Sequence, residues 1–157
     1  MQKEQSKKPA QSKQQNPRRK ALFVDYENVR GLPVEELEHI VKFKGDVVLL
    51  AGPADAKIPT WLAVEALERR DSFRIVQTAR SGRNALDMLL AFEVGFYVKA
   101  NTSTDITVFS RDKDYDALAQ NIGSATRFNG SICRKGTLSA PPKATQIQPA
   151  DLKSQSI

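Results

Sequence analysis

The stretch ALFVDYENV, residues 21–29, decides how the rest of the chain reads. Ala21 to Val24 form an unbroken apolar run that ends on Asp25. A short apolar run bounded by acid reads as a strand buried on both faces. Such a strand needs helices above and below it, so the neighbouring segments should alternate. They do. Similar strand signals return at DVVLLAG (46–52), FRIVQTA (73–79) and DITVFS (105–110). Helical patterns separate them at LPVEELEHIVKF (32–43), PTWLAVEALERR (59–70), NALDMLLAFEVGFYVKA (84–100) and DYDALAQNIG (114–123). Pro33 and Pro59 suit first helical turns, and Gly123 suits a helix end. ATRFN (125–129) is expected as the fifth strand, with 131–138 as a further short edge strand. The fold class is therefore α/β, three layers as α/β/α, with a mainly parallel central sheet of about five strands. Trp61, Phe92, Phe96 and Tyr97 fall at helical spacings that suit core packing, and Arg69 and Arg70 complement a helix dipole.

The charge is unevenly spread. The formal charge of +6 comes from the first 20 residues, where seven Lys/Arg face only Glu4 (7 − 1 = +6). Residues 21–157 hold 17 basic and 17 acidic residues. Residues 1–19 are expected to be a disordered basic arm, 20–138 the folded domain, and 139–157 a flexible tail. A basic arm either attracts phosphate backbones or only keeps the chain soluble. It lacks the apolar core of a secretory signal, and no apolar run reaches membrane-spanning length. The single cysteine, Cys133, excludes an internal disulfide. A cytoplasmic protein without a membrane partner is expected.

Acids stand at one edge of the expected sheet. In open parallel sheets, ligands bind outside the carboxyl ends of the strands. Asp25 ends the first strand, and Asp112 follows the fourth by two residues. Asp46, Asp71 and Asp105 precede or start strands and belong to the opposite edge. Asp87 is surrounded in sequence by Ala85, Leu86, Met88, Leu89 and Leu90. An acid in such a run is either bound or simply helped by the dipole of a first helical turn. SRDKDYDAL (110–118) sets Asp112, Asp114 and Asp116 at alternate positions, where they repel. Crowded carboxylates without His or Cys favour Mg²⁺ or Mn²⁺ over zinc. Such an ion activates water for attack on a phosphodiester. Asp114 and Asp116 fall in a first helical turn, where they either reach an ion through water or only cap. Arg80, Arg83 and Arg111 are the candidate contacts to an RNA backbone, and Ser81 is the expected N-cap of the helix carrying Asp87.

FVDYENV, NALDMLLAFEVG and VFSRDKDYDAL together resemble the NYN branch of the PIN-like nuclease superfamily, over roughly residues 20–130. Asp25 and Asn28 match its Asp-x-x-Asn. Asp87 matches its mid-chain helical Asp, and Ser110, Asp112, Asp114 and Tyr115 match its Ser-preceded Asp-x-Asp-aromatic. The resemblance implies a PIN-like fold and a metal-dependent ribonuclease. It implies Asp25, Asp87 and Asp112 as metal ligands, with Asp114 or Asp116 completing the acidic pocket and Asn28 in support. Arg111 departs from the small residue common at that position, and it either grips RNA phosphate or pairs with a carboxylate. The competing expectation is a binding module that holds RNA or a protein partner, a second copy included, without cutting. A phosphatase-type enzyme fits less well, because VDYEN has Glu27 where an Asp-x-Asp would need Asp and no Gly-rich loop follows.

Overall fold

The computed structural model describes residues 18–139, apart from 54–56, 80, 81, 83 and 126. The elements run β1 (Arg19–Asp25), α1 (Tyr26–Val29), α2 (Val34–Lys42), β2 (Asp46–Ala51), α3 (Thr60–Glu68), β3 (Phe73–Gln77), α4 (Ala85–Ala100), β4 (Thr104–Phe109), α5 (Tyr115–Gly123) and β5 (Ser131–Lys135). Five strands form one sheet in the order β3-β2-β1-β4-β5. Every pairing is parallel, so the sheet is wholly rather than mainly parallel.

The alternation of side chains along β1 builds both halves of the core. Leu22 and Val24 join a cluster with Leu37 and Ile40 of α2 and Leu62 of α3. Ala21 and Phe23 join the opposite cluster with Leu86, Leu90 and Val94 of α4 and Tyr115 of α5. Each large side chain fully buried in this way contributes about 1.5–3 kcal/mol. The helices before β3 thus cover one face, and those after it cover the other. The strand order reverses between β1 and β4, which makes their carboxyl ends the switch point where such sheets open a crevice.

Local chemistry sets the element ends. Pro33 and Pro59 precede α2 and α3. Glu35 and Glu36 open α2 while His39 and Lys42 close it, in line with the helix dipole. Arg69 does more than complement a dipole. Its guanidinium donates to the carbonyls of Val41 at 2.8 Å, Phe43 at 3.2 Å and Gly45 at 3.1 Å, tying down the turn into β2.

The fifth strand differs from the expectation. The stretch 125–129 is a turn in its described residues, where the Phe128 amide donates to Ala125 O at 3.0 Å. Phe128 packs into the core beneath β4. β5 starts only after Gly130, where a Cβ would lie 1.9 Å from Thr104 O. Past β5, the chain is clamped to α2, where the Glu36 carboxylate accepts from the amides of Leu138 and Ser139 at 3.1 and 2.9 Å. Hydrogen bonds from Ser139 hold the Glu36 carboxyl below its ordinary range, although burial pushes it up.

Three aromatic residues expected in the core are not there. Trp61 is partly exposed, and Phe92 and Phe96 stand in solvent. Tyr97 is half-buried, edge-on to Phe23, with its hydroxyl donating to Asp46 at 2.6 Å. Among the described residues, no helix is long and apolar enough to cross a membrane.

Candidate active site

The carboxyl end of β1 lies beside that of β4, with Val24 paired to Phe109. Asp25 and Ser110 are each the next residue, and both are completely buried. The Ser110 hydroxyl donates to Oδ2 of Asp25 at 2.8 Å, and Asn28 Nδ2 donates to the same oxygen at 2.6 Å. Asn28 reaches back because α1 begins directly after the strand. The other oxygen, Oδ1, is buried and has no partner among the described residues. Burial raises the Asp25 pKa, the bonds from Asn28 and Ser110 lower it, and the nearby Asp87 charge raises it; the net shift is upward. A buried carboxylate oxygen without a partner is costly unless something binds it.

The remaining acids approach from α4 and the β4–α5 loop. Asp87 sits in the first turn of α4, and its Oδ1 accepts from the Tyr115 hydroxyl at 2.6 Å. Asp112 is fixed twice. Its amide donates to Ser110 Oγ at 3.0 Å, and its Oδ1 accepts from the Asp114 amide at 2.9 Å. Burial pushes the Tyr115 hydroxyl far up, and the charges of Asp25, Asp87 and Asp112 all push it in the same direction. Of the three, only Asp87 bonds to the hydroxyl; Asp25 and Asp112 act on it through their charge. Asp87, Asp112, Asp114 and Tyr115 line a cleft of about 350 Å³ whose other walls include Met88, Ala91 and Leu118. None of Asp25, Asp87, Asp112 and Asp114 forms an ion pair with a described residue.

Asp116 does not join them. Arg134 of β5 binds both of its oxygens, at 2.8 and 3.1 Å, and also donates to Ser110 O at 3.2 Å. Arg111 is exposed and makes no side-chain hydrogen bond among the described residues. Arg80, Arg83 and Ser81 lie outside the described residues, and Asn84, with φ of 64°, stands at the N-cap of α4. An Asn tolerates that left-handed conformation better than most residues. Asp46 and Asp105 lie away from the cleft, held by Tyr97 and by Ser131 and Arg18. Glu27 is a further acid at this edge. It rests where a Cβ on Gly52 would come within 1.7 Å of its Oε1, so the glycine makes room for it.

Sequence reasoning gave two residues no role in the site. Tyr115 carries a signal in its position between Asp114 and Asp116, but its bridge from α5 to Asp87 depends on tertiary packing. Arg134 carries no local signal, because it meets Asp116 only through β5 pairing.

Does the acidic set suit a cation? All its donors are oxygens, they carry uncompensated charge, and one buried oxygen is orphaned; these are the properties of a site for a hard divalent ion. Among the described residues, no three His, Cys, Asp or Glu side chains close around a single point. The acids share a region without closing around one point.

A doubly wound parallel sheet with acids at its switch point defines the class of domain. A family model described as PIN domain matches residues 19–127, from β1 through α5, and the chain belongs to that family. PIN domains are generally nucleases that use divalent metal ions. No curated protein and no solved structure gives a significant match.

Proposed function

We propose that this chain is a metal-dependent ribonuclease of the NYN branch, hydrolysing RNA phosphodiester bonds at the β1–β4 switch point. The observation that carries the reading is the cleft lined by Asp87, Asp112 and Asp114, none of which forms an ion pair with a described residue. The orphaned Oδ1 of Asp25 adds to it. Asp25, Asp87 and Asp112 would hold Mg²⁺ or Mn²⁺, with Asp114 at the cleft wall. A divalent ion bound there supplies an activated water and neutralises charge on the phosphodiester.

The chain's own groups prepare that site. Asn28 and Ser110 saturate Oδ2 of Asp25 and leave Oδ1 free. Tyr115 orients Asp87, and the Asp114 amide orients Asp112. Arg134 holds Asp116 and the Ser110 carbonyl, which makes both of them positioning groups. Arg111, with Arg80 and Arg83, grips the RNA backbone. Cleavage of RNA with and without Mn²⁺ tests the reading: Asp112→Asn should lower the rate at least about 100-fold. Equal cleavage by both proteins would refute it.

The second reading is a module that binds RNA or a protein without cutting it. The lack of a closed acidic cage among the described residues favours it. It predicts no Mn²⁺ binding in titration calorimetry and no Mn²⁺-dependent cleavage.

A further inference from the structure

The cleft that carries the acids is short of hydrogen-bond donors. Asp87, Asp112 and Asp114 only accept when ionised, and Met88, Ala91 and Leu118 are apolar. The Tyr115 hydroxyl spends its proton on Asp87. The remaining lining residue is Asn84, whose carboxamide is the one side-chain N–H donor among the described residues of this wall. The buried, partnerless Oδ1 of Asp25 marks the same edge of the sheet as one that receives a ligand.

Asn84 also departs from the ordinary conduct of an Asn before a helix. Such a residue normally spends its side chain on the amide of the second or third helical residue. The Asn84 carbonyl does accept from the Met88 amide at 3.0 Å and so starts α4, but its side chain caps nothing. Its φ of 64° and ψ of 13° are left-handed, and no other non-glycine among the described residues has a positive φ. Nor does the carboxamide bond within the cleft, where Tyr115 reaches Asp87 and the Asp114 amide reaches Asp112. An exposed carboxamide is thus held at an acidic cleft with its donor and its acceptor both without a described partner. Left-handed non-glycine residues gather at ligand sites, where the conformation serves to aim a group.

We propose that Asn84 reads the ribose 2′-hydroxyl of the substrate and so makes the site prefer RNA to DNA. The inference rests on the nuclease reading of the same cleft. A 2′-hydroxyl both donates and accepts, as a carboxamide does. A phosphate oxygen only accepts, and it carries charge. Beside carboxylates that lack a described cation partner, an anion is held by a metal ion or an arginine rather than by a neutral amide. The 2′-hydroxyl is therefore the group of the RNA backbone that suits Asn84.

Labelled oligouridylate and oligodeoxyuridylate test the proposal, because they share bases and phosphates and differ in the 2′-hydroxyl. With Mn²⁺, the wild type should cleave oligouridylate with the higher kcat/KM. Asn84→Gly should lower that value about 3- to 10-fold, the range of one neutral hydrogen bond, and leave oligodeoxyuridylate unchanged. Glycine adopts a left-handed φ without strain and serves at an N-cap, so the variant should melt close to wild type. Fluorescence anisotropy with Ca²⁺ in place of Mn²⁺ gives the same comparison for binding, where the RNA-to-DNA affinity ratio should narrow in Asn84→Gly. A ratio unchanged by the substitution would overturn the proposal, whether both oligonucleotides lose together or neither does. So would a wild type that shows no preference for oligouridylate. A wild type that cleaves neither oligonucleotide would refute the nuclease reading instead, and the binding ratio would then decide the role of Asn84.

Discussion

Replacing Tyr115 with Phe removes a single oxygen from the wall of the acidic cleft. The ring is buried and keeps its packing, so the change isolates the hydrogen bond to Asp87 Oδ1, 2.6 Å long. Burial foremost, and then Asp87 and the neighbouring carboxylates, raise the phenol pKa, so it remains a donor throughout the neutral range. Hydrogen bonds to charged groups contribute about 1.5–3 kcal/mol. Asp87 is only half-buried and regains water when the bond is lost, which favours the lower end, about 1.5 kcal/mol. For a chain of this size that is a fall in Tm of about 3–6 °C. Urea unfolding of the metal-free protein reads the loss directly. Titration calorimetry should show weaker Mn²⁺ binding, because Asp87 is no longer held. A variant within about 0.5 kcal/mol of wild type that also binds Mn²⁺ equally well would refute the bridging role of Tyr115.

Other perturbations give distinct outcomes. Wild type with Mn²⁺ at a hundredfold excess over Kd should gain about 2.7 kcal/mol, whereas Asp25→Asn should show almost no Mn²⁺-induced shift in a thermal melt. Gly130→Ala should cost at least about 1–3 kcal/mol in urea unfolding, because the new Cβ would press on the Thr104 carbonyl. Glu36 has a lowered pKa in the folded chain, so its clamp contributes stability above the ordinary value of 4.5 and loses it as pH falls further. Glu36→Gln should therefore be less stable than wild type at neutral pH, with the gap narrowing in unfolding curves below pH 4.5.

The strands of the central sheet were legible because burial on both faces leaves unbroken apolar runs, as in Ala21 to Val24 and Val47 to Ala51. β5 was harder to place. It is an edge strand whose burial alternates along Ser131–Lys135, so it lacks such a run. Phe92 and Phe96 were misread for a related reason. When a helix is apolar all round, periodicity cannot tell which side meets the sheet. The edge rule separated Asp25 and Asp112 from Asp46 and Asp105 because it depends only on strand direction. The engagement of Asp116 by Arg134, and of Asp87 by Tyr115, arises from contacts 18 and 28 residues apart in sequence, which no local pattern encodes.

Anomalous diffraction from a crystal soaked with Mn²⁺ tests the central claim most directly. The account predicts a manganese peak within coordination distance of Asp25, Asp87 and Asp112, with the free Oδ1 of Asp25 facing it. A fully soaked crystal with no peak at the β1–β4 edge, or with a peak held by other residues, would contradict it.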